Sequence, residues 1–253
     1  MRIRLGHNLP DIARAMRENA RQVPFALARA LTKTAQDVQA AEKAAIVRVF
    51  DRPTPFAQRS VSIRPAKKAK LEAEVFLKGD GTRDSATRRN FLGAQVIGGE
   101  RDTKRFEKRM VHLGYMRSGE KVVPGEAMAL NSYGNISRAQ IKKILKALEA
   151  TNGTGTYNDG RRRKEVYFVS RGRDRTVGRR AWRGGRKEQH LPRGVWVRTR
   201  FALGSSVRPA MLFVDRAAYS RRLQFFTLAE QIAQSQFPMR WQESWDIARR
   251  TAQ

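Results

Sequence analysis

Leu27, Leu31, Ala35, Val38, Ala41, Ala45 and Val49 recur at steps of three and four, and this spacing constrains the fold more than any other feature of the chain. It lays one apolar stripe along a long helix. The small residues in its later half invite close packing by a second helix. Pro24 suits the first turn of that helix, where its missing N–H costs nothing. The helical pattern already begins near Leu9, so a short helix through Arg21 is predicted before a break at Pro24. Asp51-Arg52-Pro53-Thr54-Pro55 then stops the long helix.

Two extended stretches follow, around Arg59 to Arg64 and Leu71 to Lys78, with Pro65-Ala66-Lys67-Lys68 as a basic hairpin connection. In the second stretch Leu71, Ala73, Val75 and Leu77 alternate with Glu72, Glu74, Phe76 and Lys78, the period of a half-buried strand. Gly79 to Thr87 reads as a loop. Phe106, Met110 and Leu113 hint at a short helix before Gly114, and Ser137 suits the N-cap of a helix facing inward with Ile141, Ile144, Leu145 and Leu148. Strands are predicted at Val166 to Ser170, Val195 to Leu203 and Met211 to Val214. Asp215 is placed to cap a helix bearing Tyr219, Leu223, Phe226 and Ala229. Pro238 should break that helix, leaving a last short one from Met239 to Arg250 with Trp241 and Trp245 one turn apart.

The predicted architecture is α+β. A long N-terminal helix and C-terminal helices pack on a small antiparallel sheet, with residues 1–80 and 194–253 forming the core domain and 81–193 a basic insertion. At 253 residues the chain can bury one good core with such an insertion. No run approaches the roughly 20 apolar residues that span a bilayer, and Met1 to Leu9 lacks the apolar centre of a signal peptide. The expectation is a protein made in the cytoplasm, with no membrane partner.

Charge narrows the class of partner. Lys plus Arg number 52 against 23 Asp plus Glu, a formal net charge of +29. Solubility needs only a few net charges, so the surplus points to something anionic: nucleic acid, an acidic membrane face or an acidic protein. It is steepest over residues 161–200, where 15 cationic side chains stand against Glu165, Asp174 and Glu188. Arg161, Arg162, Arg163, Lys164, Arg171, Arg173, Arg175, Arg179, Arg180, Arg183, Arg186 and Lys187 are spaced by Gly172, Gly178, Gly184 and Gly185, with Trp182 available to stack. These twelve are the candidate nucleic-acid contacts. Such a glycine-spaced segment can track a phosphate backbone without reading bases; it can equally be a solvated loop docking on an acidic neighbour. Phe225, Phe226, Phe237, Trp241 and Trp245 fit a core or subunit interface better than base stacking.

Little in the sequence points to catalysis. With no cysteine, disulfides, thiol chemistry and thiolate metal sites are excluded. His7, His112 and His190 do not stand at metal-ligand spacing, and no phosphate-cradling glycine loop or nucleophile elbow occurs. Asp80 with Asp84, or Glu100 with Asp102 followed by Lys104, could hold magnesium beside a phosphate; they read far better as exposed loop acids that pair with arginines in so basic a chain. The prediction carries no catalytic, cofactor or metal residue.

The order of several short phrases adds a resemblance. A helix closed by Arg52-Pro53-Thr54-Pro55-Phe56, followed by Gln58-Arg59-Ser60-Val61 opening a strand, resembles minor tail protein Z and related neck and tail-completion proteins of tailed bacteriophages. Val207-Arg208-Pro209-Ala210 ahead of an Asp215-capped helix is similar to the way those proteins return to a terminal helix. Leu130-Asn131-Ser132-Tyr133-Gly134-Asn135-Ile136-Ser137-Arg138, preceded by Gly98-Gly99-Glu100-Arg101, resembles inserts of phage virion proteins. These phrases cover about half of the chain, and the long basic insertion departs from the simplest members. The resemblance implies a non-enzymatic virion protein: a subunit of a homo-oligomeric ring in the neck or head–tail connector, or in tail completion. Its partners would be other neck, portal or tail proteins and packaged DNA, touched through phosphates. The competing readings are a sequence-independent DNA-binding or DNA-processing protein and, behind it, an RNA-binding protein.

Overall fold

The computed structural model describes residues 2–5, 22–79, 91–149, 154–158, 164–172 and 191–251. The fold is α+β, and the chain divides into two units: Met1–Arg101 with Ala218–Gln253, and Asp102–Ala217.

In the first unit, helix α1 (Val23–Val49) carries Pro24 in its first turn and buries Leu27, Leu31, Ala35, Val38 and Ala45 of the predicted stripe, while Ala41 and Val49 are half-buried. Phe50 turns extended and the helix ends there. Thr54 caps the short α2 (Pro55–Gln58), its Oγ1 accepting from the Ala57 N–H at 3.2 Å. Strands β1 (Arg2–Leu5), β2 (Val61–Arg64) and β3 (Ala73–Leu77) form an antiparallel sheet in the order β1-β3-β2. The connection between β2 and β3 closes on reciprocal backbone hydrogen bonds between Lys67 and Lys70, both 2.9 Å.

The expected half-burial of β3 is incorrect: all five of its residues are buried. As the middle strand it packs apolar residues into the core with one face. On the other, Arg64 offers Nη1 to Glu74 Oε2 at 2.6 Å and lays its guanidinium 5.1 Å from the Phe76 ring centre. A charge pair and a cation–π contact bury a face that the alternation assigned to solvent.

The C-terminal half of this unit also departs from expectation. Asp215 caps no helix; instead β10 (Ala218–Tyr219) pairs with β4 (Gly99–Glu100), which follows the short α3 (Gly93–Ile97). The N–H groups of Arg222 and Leu223 both donate to the Gln95 carbonyl, at 2.9 and 3.0 Å, holding the segment off helix. Helices α4 (Arg105–His112) and α5 (Arg138–Glu149) belong to the second unit, and α6 runs unbroken from Phe225 to Arg250 through Pro238. A proline inside a helix costs about 3 kcal/mol. Packing offsets it on both sides: Phe225 and Ala229 before Pro238, Trp241, Ser244 and Ala248 after it, are buried. Just beyond the proline, Arg240 forks onto Asp37 of α1 with Nε–Oδ2 2.7 Å and Nη2–Oδ1 3.0 Å.

One residue of the α1 stripe is out of character. Glu42 is fully buried and neither carboxylate oxygen has a hydrogen-bond partner. Burial pushes its carboxyl up to about 8, so it is held largely protonated at neutral pH.

The second unit is a five-stranded antiparallel sheet in the order β5-β9-β8-β7-β6. Its strands are β5 (Lys121–Pro124), β6 (Thr154–Asn158), β7 (Lys164–Ser170), β8 (Gly194–Phe201) and β9 (Gly204–Val214). Met110, Ile144 and Leu148 from α4 and α5 join Tyr167, Val195, Val197 and Met211 from the strands in one core. Ser137 does cap α5, its Oγ accepting from the Gln140 N–H at 3.2 Å. Buried Glu107 accepts from the N–H groups of Lys104 at 2.6 Å and Val122 at 2.8 Å, fastening α4 to β5.

The predicted boundaries need correction here. Residues 194–217 do not return to the N-terminal sheet, because β8 finds its backbone partners in β7 and β9 and β9 finds a second one in β5. Conversely, α3 and β4 belong with the first unit. The helix predicted through Arg21 lies outside the described residues.

Candidate nucleic-acid interface

Of the twelve candidate contacts, Arg161, Arg162, Arg163, Arg173, Arg175, Arg179, Arg180, Arg183, Arg186 and Lys187 lie outside the described residues. Lys164 and Arg171 are described, and the fold separates them: Lys164 opens β7 and Arg171 follows its last residue. A strand of that length keeps them roughly 20 Å apart. Lys164 and Arg171 therefore stand at opposite ends of β7.

At the Arg171 end, three arginines from distant parts of the sequence surround a cavity of about 390 Å³ lined by Gly114, Tyr115, Met116, Arg117, Arg171, Gly172 and Arg193. Gly114 leaves α4 with φ +73°, which turns the chain sharply into the Tyr115–Arg117 wall. On the opposite wall Ser170 fixes the turn after β7: its Oγ donates to the Leu191 carbonyl at 3.0 Å and accepts from the Gly172 N–H at 3.3 Å.

Arg193 is rigidly held. Its Nε and Nη2 fork onto Glu120 at 2.6 and 3.0 Å, and Nη1 donates to the Arg171 carbonyl at 2.9 Å. Glu120 also accepts from the Arg117 N–H at 2.7 Å. Burial alone would raise the Glu120 carboxyl, but the hydrogen bonds from the Arg193 side chain and the Arg117 N–H, with the positive charges of Arg193 and Arg117, outweigh it, and the group sits below its ordinary value. Glu120 is thus an anion that neutralises one of three guanidiniums. Arg117 and Arg171 are exposed and neither side chain is paired with an acid among the described residues. The cavity lining thus carries two exposed guanidiniums that form no ion pair among the described residues, that of Arg117 within the field of the Glu120 carboxylate.

That arrangement suits a phosphate oxygen, which guanidiniums bind through charge-assisted hydrogen bonds. Among the described residues that line it there is no acid, histidine or serine. The only phenol, Tyr115, donates to the Leu148 carbonyl at 2.9 Å, and burial and the Glu149 charge keep it above its ordinary value and so protonated. Among the described residues no group of three or more His, Asp or Glu side chains could hold a metal ion. Glu100 is a β4 residue, while Asp80 and Asp84 lie outside the described residues. No helix among the described residues is long and apolar enough to cross a membrane.

Arg117 escaped the sequence reading because it stands outside the basic stretch, and Arg193, although inside residues 161–200, because it follows the glycine-spaced cluster that ends at Lys187; only the buried acid Glu120 marks the spot, and an isolated glutamate gives no such signal. Four of the five C-terminal aromatics serve packing: Phe225 and Trp241 are buried, Phe237 and Trp245 pack on the same core, and the Trp241 and Trp245 rings stack with centres 5.7 Å apart, whereas Phe226 is exposed with its ring edge-on to Phe225. Comparison of the chain with protein-family models, with curated proteins and with solved structures finds no match to any of them.

Proposed function

We propose that this protein is a non-enzymatic structural component of a tailed bacteriophage particle, a ring subunit of the neck, head–tail connector or tail-completion region that sits against packaged DNA. The observation that carries the DNA contact is the cavity at the end of β7, where Arg117 and Arg171 are exposed beside an Arg193 that forks onto Glu120, three guanidiniums around one carboxylate. Phosphates would be engaged there without regard to base order. The placement in the particle draws on the phrases around Arg52–Phe56, Leu130–Arg138 and Val207–Ala210. A subunit between DNA and sibling proteins tolerates a formal +29 because polyanion and neighbours surround it after assembly.

The test is compositional. Particles purified from cells in which the encoding phage genome is induced should contain the chain at a fixed ratio to portal protein, and a cryo-EM map should place it as a ring. Absence from mature particles overturns the placement. The second reading, a free DNA-binding protein, rests on the same cavity; it is favoured if the chain is absent from particles while the purified protein binds duplex DNA with a steep salt dependence.

A further inference from the structure

The second unit carries an arm at the other end of its sheet. Among the described residues, β7 follows β8 only as far as Thr199, opposite Glu165, and β5 follows β9 only from Met211 onward, opposite Pro124. Backbone bonds from Gly125 and Ala127 extend that second pairing to the carbonyls of Ala210 and Pro209 and no further. The rungs Arg200↔Ser205 and Phe201↔Gly204 therefore belong to a two-stranded ribbon, and Gly204 to Arg208 has no strand on its outer side among the described residues.

Its tip is apolar and uncovered. Leu203 is fully exposed and Phe201 is 55% exposed, with Val207 also at the surface. The stem is cationic: Arg198 and Arg200 share one face with their partners Val207 and Ser205, and Arg208 lies on the other with Thr199 and Phe201, by the alternation of the ladder. No Asp or Glu occurs from Gly194 to Val214. An uncovered Phe and Leu cost solvation, and arginines on both faces would repel a second copy of a chain this basic.

We propose that this ribbon is a DNA arm. Its ligand is duplex DNA: arginines on its two faces meet phosphates on the two walls of a groove, and Phe201 with Leu203 presses an apolar wedge against a base step, bending the duplex. A two-stranded ribbon has the width a groove admits, and apolar wedges flanked by arginine unstack and kink DNA. The assignment rests on the reading that the chain works beside DNA, and adds which element touches it and what that does to its shape.

The full chain is titrated into a 30-base-pair duplex labelled at both ends, reading anisotropy for binding and energy transfer for bending over a salt series. The parent should bind and raise energy transfer. The pair Arg200→Ala and Arg208→Ala should lower the slope of log affinity against log salt by about two, at about 0.9 per phosphate contact. The pair Phe201→Ser and Leu203→Ser should keep the slope and lose the rise in energy transfer, while Leu203→Met keeps both. Bending by the serine pair equal to the parent's overturns the proposal. So does tip-dependent binding to phosphatidylglycerol vesicles tighter than binding to the duplex, which would make the ligand a lipid surface. If the chain is found in particles but the serine pair bends DNA normally, the arm assignment alone falls; if it is absent from particles but the arm bends DNA, the placement alone falls.

Discussion

Replacing Glu42 with glutamine removes the one ionisable group that α1 buries without a partner. Folding holds its carboxyl at about 8 against an ordinary 4.5, so the folded protein binds a proton that the unfolded chain releases across this window. Stability is then greatest below pH 4.5 and falls as pH rises, levelling off above about 8. Each pH unit between the two values costs about 1.4 kcal/mol, so at pH 7 the native glutamate costs about 3 kcal/mol relative to its acid limit. Glu42→Gln keeps the shape and never ionises; Glu42→Leu also removes the unmet polar atoms. Urea unfolding followed by tryptophan emission, taken as variant minus parent at pH 5, 6, 7 and 8, should show a gap that widens with pH, with the leucine variant at least as stable as the glutamine one. Other titrating groups cancel in that difference. A gap that stays constant across the series, or a variant less stable than the parent at pH 8, would refute the reasoning.

Arg193→Ala should destabilise the second unit by roughly 3 kcal/mol, since it strands buried Glu120 without its counter-charge, and Glu120→Gln in the same background should recover part of the loss in urea unfolding. Because the Glu120 carboxyl lies below its ordinary value, its contribution is present above the carboxylate range and is lost as pH falls through the lowered value; acid titration of the parent against Glu120→Gln reads this directly. Arg117→Ala and Arg171→Ala should each reduce the salt slope of duplex binding by about one while leaving the unfolding midpoint unchanged. Gly125→Ala should cost roughly 1–3 kcal/mol, because a Cβ there would stand 2.3 Å from the Pro209 carbonyl oxygen, and the loss should appear as faster amide exchange in β5 and β9.

What could be read from the residues was local. The stripe from Leu27 to Val49 encodes α1, Ser137 encodes the start of α5, and the alternation after Gly194 encodes β8, because each depends on neighbours within a few residues. Long-range contacts were illegible. Nothing in Val195 or Val197 says that their strand will pair with Val166 to Ser170 rather than with Val61 to Arg64, so the domain boundary was misplaced. Asp215 resembled an N-cap, yet the Gln95 carbonyl claims the N–H groups of Arg222 and Leu223 and delays the helix to Phe225. Pro238 looked like a break until Asp37, two hundred residues earlier in the chain, supplied Arg240 with a partner. The cationic cavity was hidden for the same reason: Arg117, Arg171 and Arg193 are neighbours only through the turns that follow α4 and β7.

The ladder between β4 and β10, with Glu100 opposite Ala218 and Gly99 opposite Tyr219, has a consequence for how such a chain can change over generations. It clasps the two ends of Asp102–Ala217 within one strand spacing, about 5 Å. To the unit that holds the clasp, everything beyond it is a loop whose ends are already tied, and the entropy of closing a loop grows only slowly with its length. The intervening sheet can therefore be enlarged, trimmed or exchanged for a few glycines at little entropic cost to α1, α6 and their sheet, leaving the arginine-lined cavity and the ribbon free to diverge at their own pace.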